Sequence, residues 1–96
     1  GRGIPQDYKT ARKWYTLAAE QGNAGSQNNL GWMYDNGQGV PLDYVRALMW
    51  YNIAASKGVV IAKNNRDIVA KQMTPQQIAE AQKLARECVK KNYKRC

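Results

Sequence analysis

The 96-residue sequence contains no histidine and only two cysteines. Histidine is the commonest general base and the commonest metal ligand in proteins, so its absence counts against acid–base catalysis and against most metal sites. Cys88 and Cys96 do not form a Cys-x-x-Cys pair, and the sequence has no second cysteine pair that would complete a zinc site. We therefore expect a protein without catalytic residues, metal or cofactor.

Long apolar runs are also absent, because no stretch approaches the roughly 20 apolar residues that a membrane span needs. We therefore expect no membrane span. A content of 44% hydrophobic residues with only three prolines is typical of an ordered globular chain rather than a disordered one. The sequence begins at Gly1 without a methionine, and we expect it to be a fragment of a longer protein.

Acidic residues are few. The sequence contains 7 Asp and Glu and 15 Lys and Arg, which gives a net charge of +8. A basic excess can attract nucleic acid, anionic lipid or an acidic protein, although it is more often only a solvated surface. The cations are concentrated at the end of the chain, where Glu87 is the one acid in the last fourteen residues. Four of them follow at spacings of 3, 4 and 4 and form a predicted basic patch on one helix face: Lys83, Arg86, Lys90 and Lys94.

A repeat of 36 residues dominates what the sequence does contain. When residues 1–22 are aligned with residues 37–58, eleven of the 22 positions are identical. Apolar positions in each copy recur with the spacing of one helix face, and glycine follows the last of them. We predict five helices and no strand, at about 7–21, 25–36, 43–57, 61–72 and 75–92.

The second copy loses its apolar pattern after Gly58, where Leu30 is matched by Arg66 and Gly31 by Asp67. Polar replacements on an inward face are typical of a terminal repeat, which no further repeat covers. A threonine, proline and glutamine at 74–77 form a helix-start signal, and a long final helix is predicted to follow.

The segment 29–44, followed by Ala47, Trp50-Tyr51 and Ala54-Ala55, resembles the Sel1-like repeat, a relative of the tetratricopeptide repeat. The resemblance implies an all-α, right-handed superhelix (a solenoid) of antiparallel helix pairs with a C-terminal capping helix. Residues 1–96 are then one Sel1-like repeat domain. Its parts are the second half of a truncated repeat (1–22), a complete repeat (23–58), and a degenerate terminal repeat with its capping helix (59–96).

Members of this family are mostly adaptors, so the resemblance implies a non-catalytic scaffold that binds a protein or peptide partner on the concave face. The polar and aromatic positions outside the repeat pattern are the predicted contact residues: Gln27, Asn28, Trp32, Asp35, Lys63 and Asn64. Trp32 has an alternative role, which is to fill the seam between repeats. In the same way, Tyr8, Trp14 or Tyr15 is expected to support self-association, because the helix that should precede residue 7 is missing.

Two other functions stay open at this point. A minority of secreted, cysteine-rich members have been linked to binding penicillin or peptidoglycan fragments, so one alternative is a cell-envelope protein that binds such compounds and has hydrolase activity. Against it, this sequence has no cysteine in either recognisable repeat and no Ser-x-x-Lys motif. The basic final helix could alternatively bind nucleic acid or an anionic surface. A nucleic-acid partner is not favoured, because this alternative depends on the charge of the final helix alone.

The two cysteines allow a disulfide or two free thiols. Eight residues of uninterrupted helix span about 12 Å, which is twice what a disulfide tolerates. A bridge between Cys88 and Cys96 therefore requires the helix to end near residues 91–92, where Asn92 can adopt a left-handed conformation. A bridge would indicate the periplasm or secretion. Free thiols would fit the cytoplasm.

Overall fold

The computed structural model describes residues 7–96, which form five α-helices and contain no strand. The helices are α1 (Tyr8–Glu20), α2 (Ala24–Asn36), α3 (Tyr44–Ser56), α4 (Val60–Ala70) and α5 (Pro75–Lys90). All five predicted helices are confirmed, with ends that differ by one or two residues. The first six residues of the predicted truncated repeat lie outside the described part of the chain.

Side-chain caps start four of the helices. In each of them the cap oxygen accepts a hydrogen bond from the backbone amide three residues later, which satisfies one of the free amides of the first turn. Repeat-equivalent helices α1 and α3 use the same residue type, because Asp7 and Asp43 occupy equivalent positions. Hydrogen bonds from the hydroxyl and the amide of Thr10 lower the pKa of the Asp7 carboxyl. The caps are Asp7, Asn23, Asp43 and Thr74.

Helix α3 lies at the centre of the packing and contacts α2, α4 and α5, whereas α1 packs against α2. Eight of its thirteen residues are buried, against one in α1 and two each in α4 and α5. This distribution explains why α3 carries the most apolar part of the sequence. The buried residues of α3 are Ala47, Leu48, Met49, Trp50, Tyr51, Ile53, Ala54 and Ala55.

Repeat-equivalent residues of α1 and α3 differ widely in exposure. Trp14 is 61% exposed and its counterpart Trp50 is 3% exposed. Likewise, Leu17 is exposed where Ile53 is buried. The difference arises because α3 is covered by helices on several sides and α1 is not. The self-association expected through Tyr8, Trp14 or Tyr15 stays a prediction. The exposed side chain of Trp14 is available for it.

The chain beyond α5 turns back towards α1. Asn92 and Tyr93 have positive φ angles of 54° and 65°, so the backbone leaves the helix there. The Cα atoms of Cys88 and Cys96 are 5.6 Å apart, and a disulfide joins the two residues. In the returning segment, the Lys94 ammonium donates to the Glu20 carbonyl at 2.9 Å. Lys94 therefore does not continue the face of α5 that carries Lys83, Arg86 and Lys90, and the four-residue basic patch is corrected to three.

Helices α2 and α3 approach most closely at Gly31. A Cβ atom at this position would lie 2.6 Å from the ring of Tyr51 and 3.1 Å from the carbonyl oxygen of Ala47. No side chain fits at such distances unless the two helices move apart. The glycine in the interior of α2, which costs about 1 kcal/mol of helix propensity, is therefore explained by packing.

We expect Gly31→Ala to lower the free energy of unfolding by about 1–2 kcal/mol, because overpacking outweighs the gain in helix propensity. Urea denaturation followed by circular dichroism measures this change. Gly25→Ala is the matched control in the same helix, since a Cβ there would meet only the Asn23 side chain at 3.4 Å. The control should be neutral or slightly stabilising, and an equal loss in both variants would contradict the packing explanation.

Candidate partner-binding surface

Gln27 does not lie on an accessible face, which corrects its predicted role as a contact residue. It is 0% exposed, and its Nε2 donates to the carbonyl oxygen of Ala19 at 3.1 Å. This hydrogen bond connects the beginning of α2 to the end of α1. The sequence pattern missed the burial because glutamine is polar and sits in a helix whose apolar pattern is weak.

Asn28 is also largely buried, at 8% exposure, and its partner is Asn65 rather than Asn64. The Asn65 Nδ2 donates to the Asn28 Oδ1 at 3.3 Å. Asn64 of α4 is the repeat equivalent of Asn28 in α2. Asn28 therefore contacts the residue that follows its equivalent, and not the equivalent itself. The predicted role of Asn28 as a contact residue is therefore corrected, because its side chain belongs to an internal amide pair.

Asp35 is half-buried and serves packing between α2 and α3. Its carboxylate accepts a hydrogen bond from the Tyr51 hydroxyl at 3.0 Å. Burial, together with this nearby carboxylate, raises the pKa of the Tyr51 hydroxyl far above its ordinary value, so the hydroxyl remains a donor. One oxygen of Asp35 is thus committed to the fold.

Trp32 remains accessible, with 42% of its surface exposed. It lines a groove of about 270 Å³ between α1 and α2, which we call the Trp32 groove. Lys63 and Asn64 are exposed on α4 but do not line it. The lining contains no charged side chain; its members are Tyr8, Ala11, Tyr15, Asn29, Trp32 and Met33.

Asn29 of α2 and Ile68 of α4 are surface residues that were not among the predicted contact residues. Ile68 is the counterpart of Trp32 at the 36-residue offset and is 58% exposed. An exposed large apolar side chain at the same position in two repeats was a signal available in the alignment. The surface has a repeated apolar element, to which Asn29 adds an amide in the Trp32 groove.

The described part of the chain contains no group of three or more acidic, histidine or cysteine side chains that could hold a metal ion. In residues 7–96, no helix is both long enough and apolar enough to cross a membrane. Ser56 donates its hydroxyl to the Ile53 carbonyl at 2.6 Å, a bond within its own helix. The side chains that line the Trp32 groove are aromatic, aliphatic and amide groups.

These features define an all-helical solenoid built from helix pairs, with a groove between the successive helices α1 and α2. The Sel1 repeat model matches residues 1–23 and 24–59. The chain therefore belongs to the Sel1 repeat family.

One similar solved structure is a protective antigen present in uropathogenic Escherichia coli strains that displays an SLR fold. The two are 32% identical and superpose with a TM-score of 0.86 over 99% of this chain. This chain spans 21% of the length of that protein. No curated protein matches the chain.

We expect Gln27→Ala to lower the free energy of unfolding by about 2 kcal/mol or more, because it removes a buried hydrogen bond and leaves a cavity. Gln27→Met is the matched control, since it keeps the volume and removes the buried Oε1, which has no protein partner in the described structure. The methionine variant should lose less than about 1.5 kcal/mol. Thermal denaturation compares the two, and unchanged stability in Gln27→Ala would show that the side chain is accessible.

Proposed function

We propose that this chain is a protein-interaction scaffold that holds a segment of a partner protein in the Trp32 groove. Repeats of the Sel1 family generally mediate protein–protein interaction. The observation that carries the finer proposal is an indole 42% exposed in a concave, uncharged groove. A tryptophan left in water at such a place offers a large apolar area to a partner.

The lining of the groove specifies the kind of segment it would hold. Tyr8, Tyr15 and Trp32 provide aromatic surface, and Asn29 provides an amide that can bind backbone groups of a peptide. No cation or carboxylate lines the groove, so charge in the bound segment would be left without a partner. We therefore propose a short partner segment with aliphatic or aromatic side chains.

The proposed role is non-catalytic. The Trp32 groove contains no nucleophile beside a base, and the sequence has no histidine to act as one. Binding without chemistry agrees with the composition of the groove. The segment is then held by burial of apolar surface and by hydrogen bonds to its backbone.

Panning a random peptide library on the chain tests this function, with affinities measured by calorimetry. We expect Trp32→Ala to weaken the selected peptides by about thirtyfold, the equivalent of about 2 kcal/mol for a central indole. Stability should change by about 1 kcal/mol or less, because the side chain is partly exposed. Lys83→Ala is the control on an exposed side chain outside the groove, and it should bind the peptides like the unaltered chain.

Peptides that bind Trp32→Ala as tightly as the unaltered chain would contradict the proposed site. A large loss of stability in Trp32→Ala without a specific loss of affinity would assign the indole to packing between repeats instead.

We further propose that the chain works in an oxidising compartment, the periplasm or the outside of the cell. The supporting feature is the disulfide between Cys88 and Cys96. It ties the end of α5 to the returning segment that contacts Glu20. A cytosolic protein would keep both cysteines reduced.

A thiol count on the unreduced, denatured protein isolated from its own cells tests this proposal. We expect no reactive thiol before reduction and two afterwards, because both cysteines are bonded in the folded chain. Oxidation during purification is controlled by alkylating the cells before lysis. Two thiols modified at that stage would place the chain in a reducing compartment.

A further inference from the structure

A second groove, which shares no residue with the Trp32 groove, lies between α3 and α5. It has a volume of about 410 Å³, within the range of clefts that hold ligands. Its apolar surface comes from Ile53, Ala85 and Val89. We call it the α3/α5 groove. Ile53 is 2% exposed and forms part of the lining, whereas Val89 is 47% exposed.

Two cations, Arg86 and Lys90, complete the lining of this groove. They are one helical turn apart on α5 and both are exposed, so they lie on the same side of the helix with their Cβ atoms about 6 Å apart. The two ion pairs in the described structure, Arg46–Asp43 and Arg66–Asp67, involve neither of them.

The acid nearest in sequence does not neutralise this pair. Glu87 lines a different hollow, together with Arg46, Lys91 and Arg95. Lys94 is held at the Glu20 carbonyl. The charge that lines the α3/α5 groove is therefore positive only, over an apolar floor.

We propose that the α3/α5 groove is a docking surface for an acidic amphipathic helix of a partner protein. Aliphatic side chains of the helix would cover Ile53 and Val89, and carboxylates one turn apart would pair with Arg86 and Lys90. Helices present acids at this spacing when they occur at positions i and i+4. This is the helix-in-groove mode of recognition, with charge fixing the register.

The observations favour a helix over the two other anionic partners. Proteins that bind single-stranded nucleic acid combine cations with aromatic side chains on which bases stack, and no aromatic side chain lines this groove. A membrane surface is bound by a broad apolar face together with a cluster of about 4–8 cations, whereas this groove offers two cations and one exposed large apolar side chain, Val89. A protruding leucine on a helix can enter a groove of this shape.

The test uses a fluorescein-labelled, alanine-rich helical peptide that carries the sequence Glu-Leu-Leu-Ala-Glu, with binding followed by anisotropy. We expect the double variant Arg86→Gln/Lys90→Gln to weaken binding at least tenfold, or about 1.4 kcal/mol. Lys63→Gln/Lys71→Gln removes the same charge from exposed positions at the two ends of α4, outside the groove lining, and should bind within about twofold of the unaltered chain. Circular dichroism establishes that each variant is folded.

Val89→Lys separates specific docking from attraction by net charge. It adds a cation while it removes apolar surface, so specific docking predicts weaker binding and general attraction predicts stronger binding. Binding that is unchanged or stronger in Val89→Lys would overturn the proposal. An equal loss in the two glutamine double variants would also overturn it.

Phosphatidylserine vesicles and a single-stranded oligonucleotide provide the remaining arms of the experiment. Tighter binding of either probe than of the peptide, with the same dependence on Arg86 and Lys90, would assign the groove to that ligand and overturn the helix proposal. Trp32→Ala should bind the acidic peptide normally. This result separates the second groove from the function proposed for the first.

Discussion

The fold depends on one close approach, in which Gly31 of α2 rests on the Tyr51 ring of α3. Without a side chain at position 31, the two helices lie close enough for the Tyr51 hydroxyl to reach the Asp35 carboxylate at 3.0 Å. The contact fixes how α2 is rotated about its axis. It therefore decides which of its residues face α1, which face α4 and which face solvent.

Polar side chains of α2 consequently join helices instead of binding a partner. Gln27 reaches the last turn of α1, and Asn28 pairs with Asn65 of α4. A buried amide that finds a hydrogen bond costs little, but one left without a partner destabilises the fold by about 1–3 kcal/mol. These amides therefore favour one register of the helices, and the surface proposed for recognition is Trp32 and its neighbours.

The C-terminal part ends the repeat in a way that creates a second surface. Cys88 of α5 packs in the same cluster as Trp50 and Ile53 of α3, and the segment up to Cys96 returns over it. Helix α5 and this returning segment thereby cover part of the apolar side of α3. The groove that stays open between α3 and α5 bears cations because α5 also faces water. The two proposed surfaces thus flank the repeat of residues 23–58, one where α2 meets α1 and the other where α3 meets α5.

The sequence by itself determined the class of fold, because the 36-residue repeat, the capping residues and the helical spacing are all local patterns. The five helices follow from these patterns. Only the tertiary structure decided which polar residues are exposed, since Gln27 and Trp32 both depart from the repeat pattern and lie on opposite sides of α2. It also decided that Asn28 meets Asn65. This pairing depends on how α2 and α4 are rotated against each other, and that rotation is set by contacts between residues far apart in the chain.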